Sequence, residues 1–165
     1  MFLEAPIFRP PQEAHCILVH GTEGCTHNKC LFCNACLDHS FAMAPPEQIA
    51  EDIQLQSSRK RMDAPVWVTG GNPFAMSYSR RERLALVVRD HLPQNAYIAM
   101  HARVDDIANK TKGELKGLAA LGIVHLYVGV ESGNDEAVKI LEDFLMETSD
   151  EEITAMHPRH TFKHF

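Results

Sequence analysis

Four short apolar runs set what this chain can fold into: Cys16-Ile17-Leu18-Val19-His20, Pro65-Val66-Trp67-Val68-Thr69, Ala96 to Met100, and Ile123 to Val130. They are rich in β-branched residues and apolar almost throughout, not alternating. That is the pattern of strands covered on both faces, as in a parallel sheet. Helical patterns separate them. Pro45-Pro46-Glu47 opens one, with Ile49, Ile53 and Leu55 on one face. Ser79 is placed to cap a second through His91, with Leu84, Val87, Val88 and Leu92 spaced for burial. Thr111 to Leu121 makes a third, ended by Gly122, and Asp135 to Leu145 a fourth. The last two strand spacings are about thirty residues, the size of one βαβ unit. Such units coil right-handed into a doubly wound sheet or part of a β/α barrel. In both, the ligand site lies at the carboxyl ends of the strands.

Residues capable of chemistry fall at those ends. Cys25 follows the first strand, Gly70 the second, His101 and Arg103 the third, and Glu131 the fourth. A length of 165 residues with 45% apolar content suits one globular domain. A net charge of −6 makes the chain a poor candidate for gripping a nucleic-acid backbone by charge. No run resembles a signal h-region or approaches the roughly 20 apolar residues of a membrane span. A soluble, cytoplasmic protein is expected. In that compartment clustered cysteines serve as metal ligands or catalytic groups more often than as disulfides.

Four of the five cysteines lie in one stretch, GCTHNKCLFCNAC, from Gly24 to Cys36. Thiolates select iron–sulfur clusters, zinc or copper(I). Cys25, Cys30 and Cys33 form C-x4-C-x2-C, and three thiolates on a four-iron cluster leave one iron open. The spacing also admits a zinc loop, with Cys36 or His39 as fourth ligand. A plant-type ferredoxin shares it too, but its fourth cysteine lies far downstream, and no cysteine follows Cys36 here. Cys16, inside a strand, reads as a small core residue, and Cys36 as a bystander thiol. Phe74, Met76 and Tyr78 are placed either to pack over the site or to cover the barrel mouth.

The loop resembles that of the radical S-adenosylmethionine (radical SAM) enzymes, in the branch reading GCTHNKCxFC. The likeness continues through Thr69-Gly70-Gly71-Asn72-Pro73, Leu115 to Gly122, and Leu126 to Glu136, and covers about residues 14 to 141. It implies a partial (β/α) barrel in which Cys25, Cys30 and Cys33 hold a 4Fe-4S cluster, with S-adenosylmethionine on the open iron. Phe32 would flank the adenine. Gly70 and Gly71 match the first two positions of a Gly-Gly-Glu motif that lies along the methionine end, with Asn72 in place of the acid. Glu131 and Ser132 would reach the ribose or the methionine moiety. The implied reaction is reductive cleavage to a 5′-deoxyadenosyl radical acting on a substrate that the sequence does not identify. A flavodoxin or ferredoxin would serve as reductant.

Four βα units are visible, where the family has six. The expected layout is a lead over residues 1–13, an incomplete core over 14–145 and a polar tail over 146–165. The tail holds a capping box at Ser149 and Glu152 and a stop at Pro158. A truncated, fragmentary or frameshifted product would read this way. The fourth strand, IVHLYVGV, would then have an outer edge with no fixed charge, and self-association along it is expected.

Overall fold

The computed structural model describes residues 7–28, 33, 35–36, 39–57, 63–130, 133–134 and 136. Its centre is a four-stranded parallel sheet in the order β1 (Ile17–His20), β4 (Val66–Thr69), β5 (Ile98–Ala102), β6 (Ile123–Val128). β2 (Thr22–Glu23) and β3 (Ala42–Met43) make a separate antiparallel ribbon. The helices are α1 (Pro46–Ser57), α2 (Tyr78–His91), α3 (Val104–Ala108) and α4 (Lys112–Ala120). Strand order follows chain order, one βα unit after another. This is the expected α/β architecture, a partial (β/α) barrel of about four units.

Alternation along each strand divides the sheet into two faces. Ile17, Val19, Val66, Val68, Ile98, Met100 and Ile123 pack with Ile49 and Ile53 of α1, Leu84, Val88 and Leu92 of α2, and Leu118 of α4. Cys16, Leu18, Trp67 and Ala99 form a second cluster on the other face, joined by Tyr97 and Tyr127. The apolar runs therefore lack alternation because both faces are covered. Phe74 and Met76 belong to the helix-side core and do not pack over the strand exits. Tyr78 packs against the same core, half-buried.

Local expectations hold with three corrections. Ser77, not Ser79, caps α2 and accepts from the Arg80 N–H, because the helix starts two residues earlier than its apolar stripe suggests. Leu55 is 63% exposed. Ile49 and Ile53 are one turn apart, and Leu55 turns away from their face. β6 is not buried on both faces: only Ile123 is buried, and Val124 is 49% exposed. β6 stands last in the sheet, so among the described residues it pairs with β5 alone and is covered less than the inner strands. α4 has its full capping box, Thr111 with Glu114. The helix expected from Asp135 to Leu145 and the tail lie outside the described residues, apart from Glu136.

The opposite edge of the sheet is closed by side chains. Gln56 of α1 accepts from the Leu18 N–H at 2.9 Å and donates to the Leu18 carbonyl at 2.6 Å. It takes the place of a strand neighbour. Asp52, 2% exposed, accepts from the His20 N–H at 2.8 Å and from Gln48 at 2.9 Å. These bonds hold the exit of β1 where the cysteine loop begins.

Candidate functional site

From His20 the chain turns through Gly21 into the ribbon, where Thr22 lies opposite Met43 and Glu23 opposite Ala42. The Ala44 N–H donates to the Gly21 carbonyl at 3.0 Å, so the loop between the two ribbon strands is clamped at its base. Within the loop, the Asn28 side chain and the His39 N–H both donate to the Cys36 carbonyl, at 3.0 and 3.1 Å. Cys25 is half-buried, Cys33 exposed and Cys36 buried. Burial, then the neighbouring Cys25 and Cys33, push the Cys36 thiol up to about 11. Cys30 and Phe32 lie outside the described residues.

β4 exits into the same loop. Gly70 has φ 138°, and a Cβ there would overlap Thr22. A Cβ on Gly71 would overlap the Gly24 carbonyl and come within 2.7 Å of Cys36 Sγ. The glycine pair thus lets two backbones meet, the β4 turn and the foot of the cysteine loop. That is a reason for glycine inside the protein, beside the ligand-side reason read from the sequence.

Asn72 is fully buried. Its Nδ2 donates to Thr26 Oγ1 at 3.0 Å and to Asp106 Oδ2 at 2.6 Å. A carboxylate only accepts, so the amide nitrogen must face Asp106, and this fixes which way the amide lies. Asn72 Oδ1 is buried and has no partner among the described residues. The turn that carries it, Pro73–Ala75, is held by Arg81, whose guanidinium donates to the Phe74 carbonyl and lies 4.5 Å from the Phe74 ring centre.

Two more buried groups at this end share the same condition. His20 is 5% exposed and neither ring nitrogen has a hydrogen bond among the described residues; Glu23 Oε1 lies 3.9 Å from its Nε2. Thr22, 0% exposed, has no partner for its hydroxyl among the described residues. His101 stands edge-on to Trp67 with ring centres 5.0 Å apart, and burial pushes its imidazole down, toward the neutral form. Arg103 precedes α3 and pairs with Asp105 at 3.0 Å. Glu131 and Ser132 lie outside the described residues.

Of the residues expected from sequence, the structure brings together Cys25, Cys33, Gly70, Gly71 and Asn72, with Cys36 packed under Gly71. Sequence reasoning missed Thr26, Asp106 and His20. His20 carried a signal, as the polar end of an apolar strand. Asp106 carried none, since its five-residue helix shows no apolar period.

An unsatisfied buried polar group costs about 1–3 kcal/mol. Idle acceptors gathered beside a thiol loop suit a site that a ligand completes: soft sulfurs for iron, an amide oxygen for an ammonium, a cradle without Cβ atoms for a backbone-sized moiety. The class of protein is therefore an α/β half-barrel with a thiol loop and a glycine turn at its strand exits. The chain matches the family described as the Radical SAM superfamily over residues 19–165, and it belongs to that superfamily. Membership places it among iron–sulfur radical SAM proteins, a superfamily of enzymes. No curated protein matches the chain. Among the described residues no helix is long and apolar enough to cross a membrane.

Proposed function

We propose that the chain is a radical SAM enzyme holding a 4Fe-4S cluster on Cys25, Cys30 and Cys33. S-adenosylmethionine would lie beside it, against Phe32, Gly70, Gly71, Asn72, Glu131 and Ser132. The buried Asn72 Oδ1, with no partner among the described residues, carries this reading. Its amide is pinned by Thr26 and Asp106, so the oxygen is presented at no cost in rotamer freedom on binding. It would accept from the ammonium of the methionine moiety, the contact expected of the acid it replaces. Bound there, cluster and S-adenosylmethionine supply reductive cleavage and a 5′-deoxyadenosyl radical for hydrogen abstraction.

The chain's own residues bind and exclude. Gly70 and Gly71 keep the cradle open. Trp67, Leu18 and Ala99 floor the interior face with apolar surface, which keeps water from the reacting end. His20 and His101 line the wall on the substrate side. Cys36, buried under Gly71, packs and does not ligate. The substrate is a small molecule, and a flavodoxin or ferredoxin in the cytoplasm, where thiols stay reduced, delivers the electron. The core runs over residues 14–145 between a short lead and a polar tail. The β6 edge, with Val124 and Val130 exposed, supports self-association. Light scattering should show dimers or larger species, and Val124→Lys should reduce them; a monomer at high concentration would remove that part of the proposal.

The test is anaerobic reconstitution with iron and sulfide, then dithionite and S-adenosylmethionine. The expected product is 5′-deoxyadenosine. Iron uptake with neither product nor spectral change on adding S-adenosylmethionine would leave an electron-transfer module. Stoichiometric zinc bound by the loop, without iron, would leave a zinc-binding one.

A further inference from the structure

A second group of ligand-type side chains lies away from the strand exits, where the chain enters β1. Glu13, His15 and Cys16 bring a carboxylate oxygen, an imidazole nitrogen and a thiol sulfur within 4.8 Å of one another. Glu13 is 2% exposed and Cys16 0%, while His15 is exposed. The Cys16 thiol donates to Glu13 Oε2 at 2.9 Å. We propose that Glu13, His15 and Cys16 form a binding site for a thiophilic divalent cation such as zinc, separate from the cysteine loop.

The donor set selects the metal. One soft sulfur, one borderline nitrogen and one hard oxygen suit Zn2+, whereas Mg2+ and Ca2+ take oxygen alone. Ligand atoms about 2.0–2.3 Å from a tetrahedral zinc lie roughly 3.3–3.8 Å from one another. The Cys16 Sγ–Glu13 Oε2 pair, at 2.9 Å, therefore opens slightly, and any wider pair, all being within 4.8 Å, closes by about 1 Å at most. Three protein ligands leave a fourth position, and the exposed His15 opens it to solvent.

The surroundings are those of a supported ligand. Tyr97 donates to Glu13 Oε2 at 2.8 Å and Tyr127 to Oε1 at 2.6 Å, with His125 Nδ1 3.4 Å from Oε1. A ligating carboxylate held by outer hydrogen bonds is oriented and kept basic. The tyrosines alone would satisfy Glu13. They do not call for a thiol and an imidazole converging on the same carboxylate. Glu13 is also fixed by its backbone, at the end of the Pro11–Glu13 turn.

Binding replaces a proton and transfers no electrons. The S–H bond of Cys16 breaks, the proton passes to solvent and a metal–sulfur bond forms in its place. Burial and then the Glu13 carboxylate push the thiol up to about 12, so the metal must displace a firmly held proton. The result would pin the N-terminal lead to β1 and, through Glu13, to β6.

The experiment uses the full chain, reconstituted with iron and sulfide, stripped of loose metal on a chelating resin, then equilibrated with zinc ions and assayed for both metals. About one zinc per chain is expected, raising the melting temperature. Cys16→Ala and His15→Ala should each weaken zinc binding about tenfold or more with iron unchanged. Cys30→Ala should do the reverse, losing iron and keeping zinc. When zinc is absent, His15→Ala should keep full iron uptake and a cooperative melt, which separates a lost ligand from a lost fold. Absence of zinc uptake, or uptake that survives both His15→Ala and Cys16→Ala, overturns the site. Zinc that disappears with Cys30→Ala places it in the cysteine loop and overturns this inference together with the proposed function. A chain that takes zinc as expected but no iron upholds the inference and removes only the proposed function.

Discussion

The two ends of the sheet are equally buried and differently satisfied. Where the chain enters, the Glu13 carboxylate collects Cys16, Tyr97, Tyr127 and His125. Where the strands exit, His20, Thr22 and Asn72 Oδ1 are as deeply buried, and no partner meets them among the described residues. Burial by itself therefore does not mark the site. What sets the exit end apart is several polar atoms without partners among the described residues gathered beside the thiol loop, whereas Trp67 Nε1, in the same condition, stands alone within the apolar cluster of the sheet. At the entrance end the chain's own donors already meet the Glu13 carboxylate; at the exit end none meets the idle atoms among the described residues.

The strongest way to break this contrast is to remove the ligands of the exit end. Cys25→Ala, Cys30→Ala or Cys33→Ala should each drop iron from about four per reconstituted chain to near none, and Cys36→Ala should keep it. Iron and absorbance measured together decide this; loss of iron with Cys36→Ala would make Cys36 a ligand.

At the entrance end the expected effect falls on stability. Burial alone would raise the Glu13 pKa, but the hydrogen bonds from Cys16, Tyr127, Tyr97 and His125 outweigh it and hold the group at about 2. A depressed carboxyl contributes stability above its unfolded pKa and loses it as pH falls through the folded one. The share is about 3 kcal/mol by linkage, lost between roughly pH 4.5 and 2. Glu13→Gln should remove a similar amount at pH 7, since it loosens the hydrogen bonds of two half-buried tyrosine hydroxyls and of the buried Cys16 thiol. Urea melts at pH 7 and along an acid series would show it. A wild-type acid profile shared by the variant would mean that the Glu13 network is decorative.

Asn72→Ala should weaken S-adenosylmethionine binding to the reconstituted protein about 10- to 100-fold, the range for losing a hydrogen bond to a charged group. Equilibrium dialysis measures it. Unchanged affinity would separate the idle Asn72 oxygen from the cofactor.

The smallest effect has the opposite sign. Thr22→Val keeps the shape and removes a buried hydroxyl with no partner among the described residues, so it should raise stability by about 1 kcal/mol. A loss in chemical melts would show that Thr22 is satisfied and that the contrast between the two ends is weaker than drawn.

Much of this molecule was legible in the chain itself. The four apolar runs placed every strand of the main sheet within about two residues, because the inner strands' burial on both faces, and β-branched residues in β6, write themselves as local composition. Cys25, Cys33 and the Gly70-Gly71-Asn72 turn fall together because the cysteine loop and the turn leave the exits of adjacent strands, β1 and β4, of one parallel sheet, which aligns all exits at one end. Boundaries that depend on competition between near neighbours, such as Ser77 against Ser79 or the facing of Leu55, were decided by where helices met the core. The ribbon that clamps the cysteine loop is two residues to a strand, too short for periodicity to show.

The sequence by itself determined the parallel order, the thiol loop and its place at the strand exits, since these rest on spacing within a few residues or on one repeated unit. Only the tertiary structure decided which polar groups are satisfied. Glu13 meets Tyr127 across 114 residues of chain, and Asn72 meets Asp106 across 34. A hydrogen bond depends on angle and on a distance near 3 Å, and neither is encoded in the identity of one partner alone. The same lone carboxylate or amide could have been bonded or idle, and it took the packing of one strand end against another to make the difference.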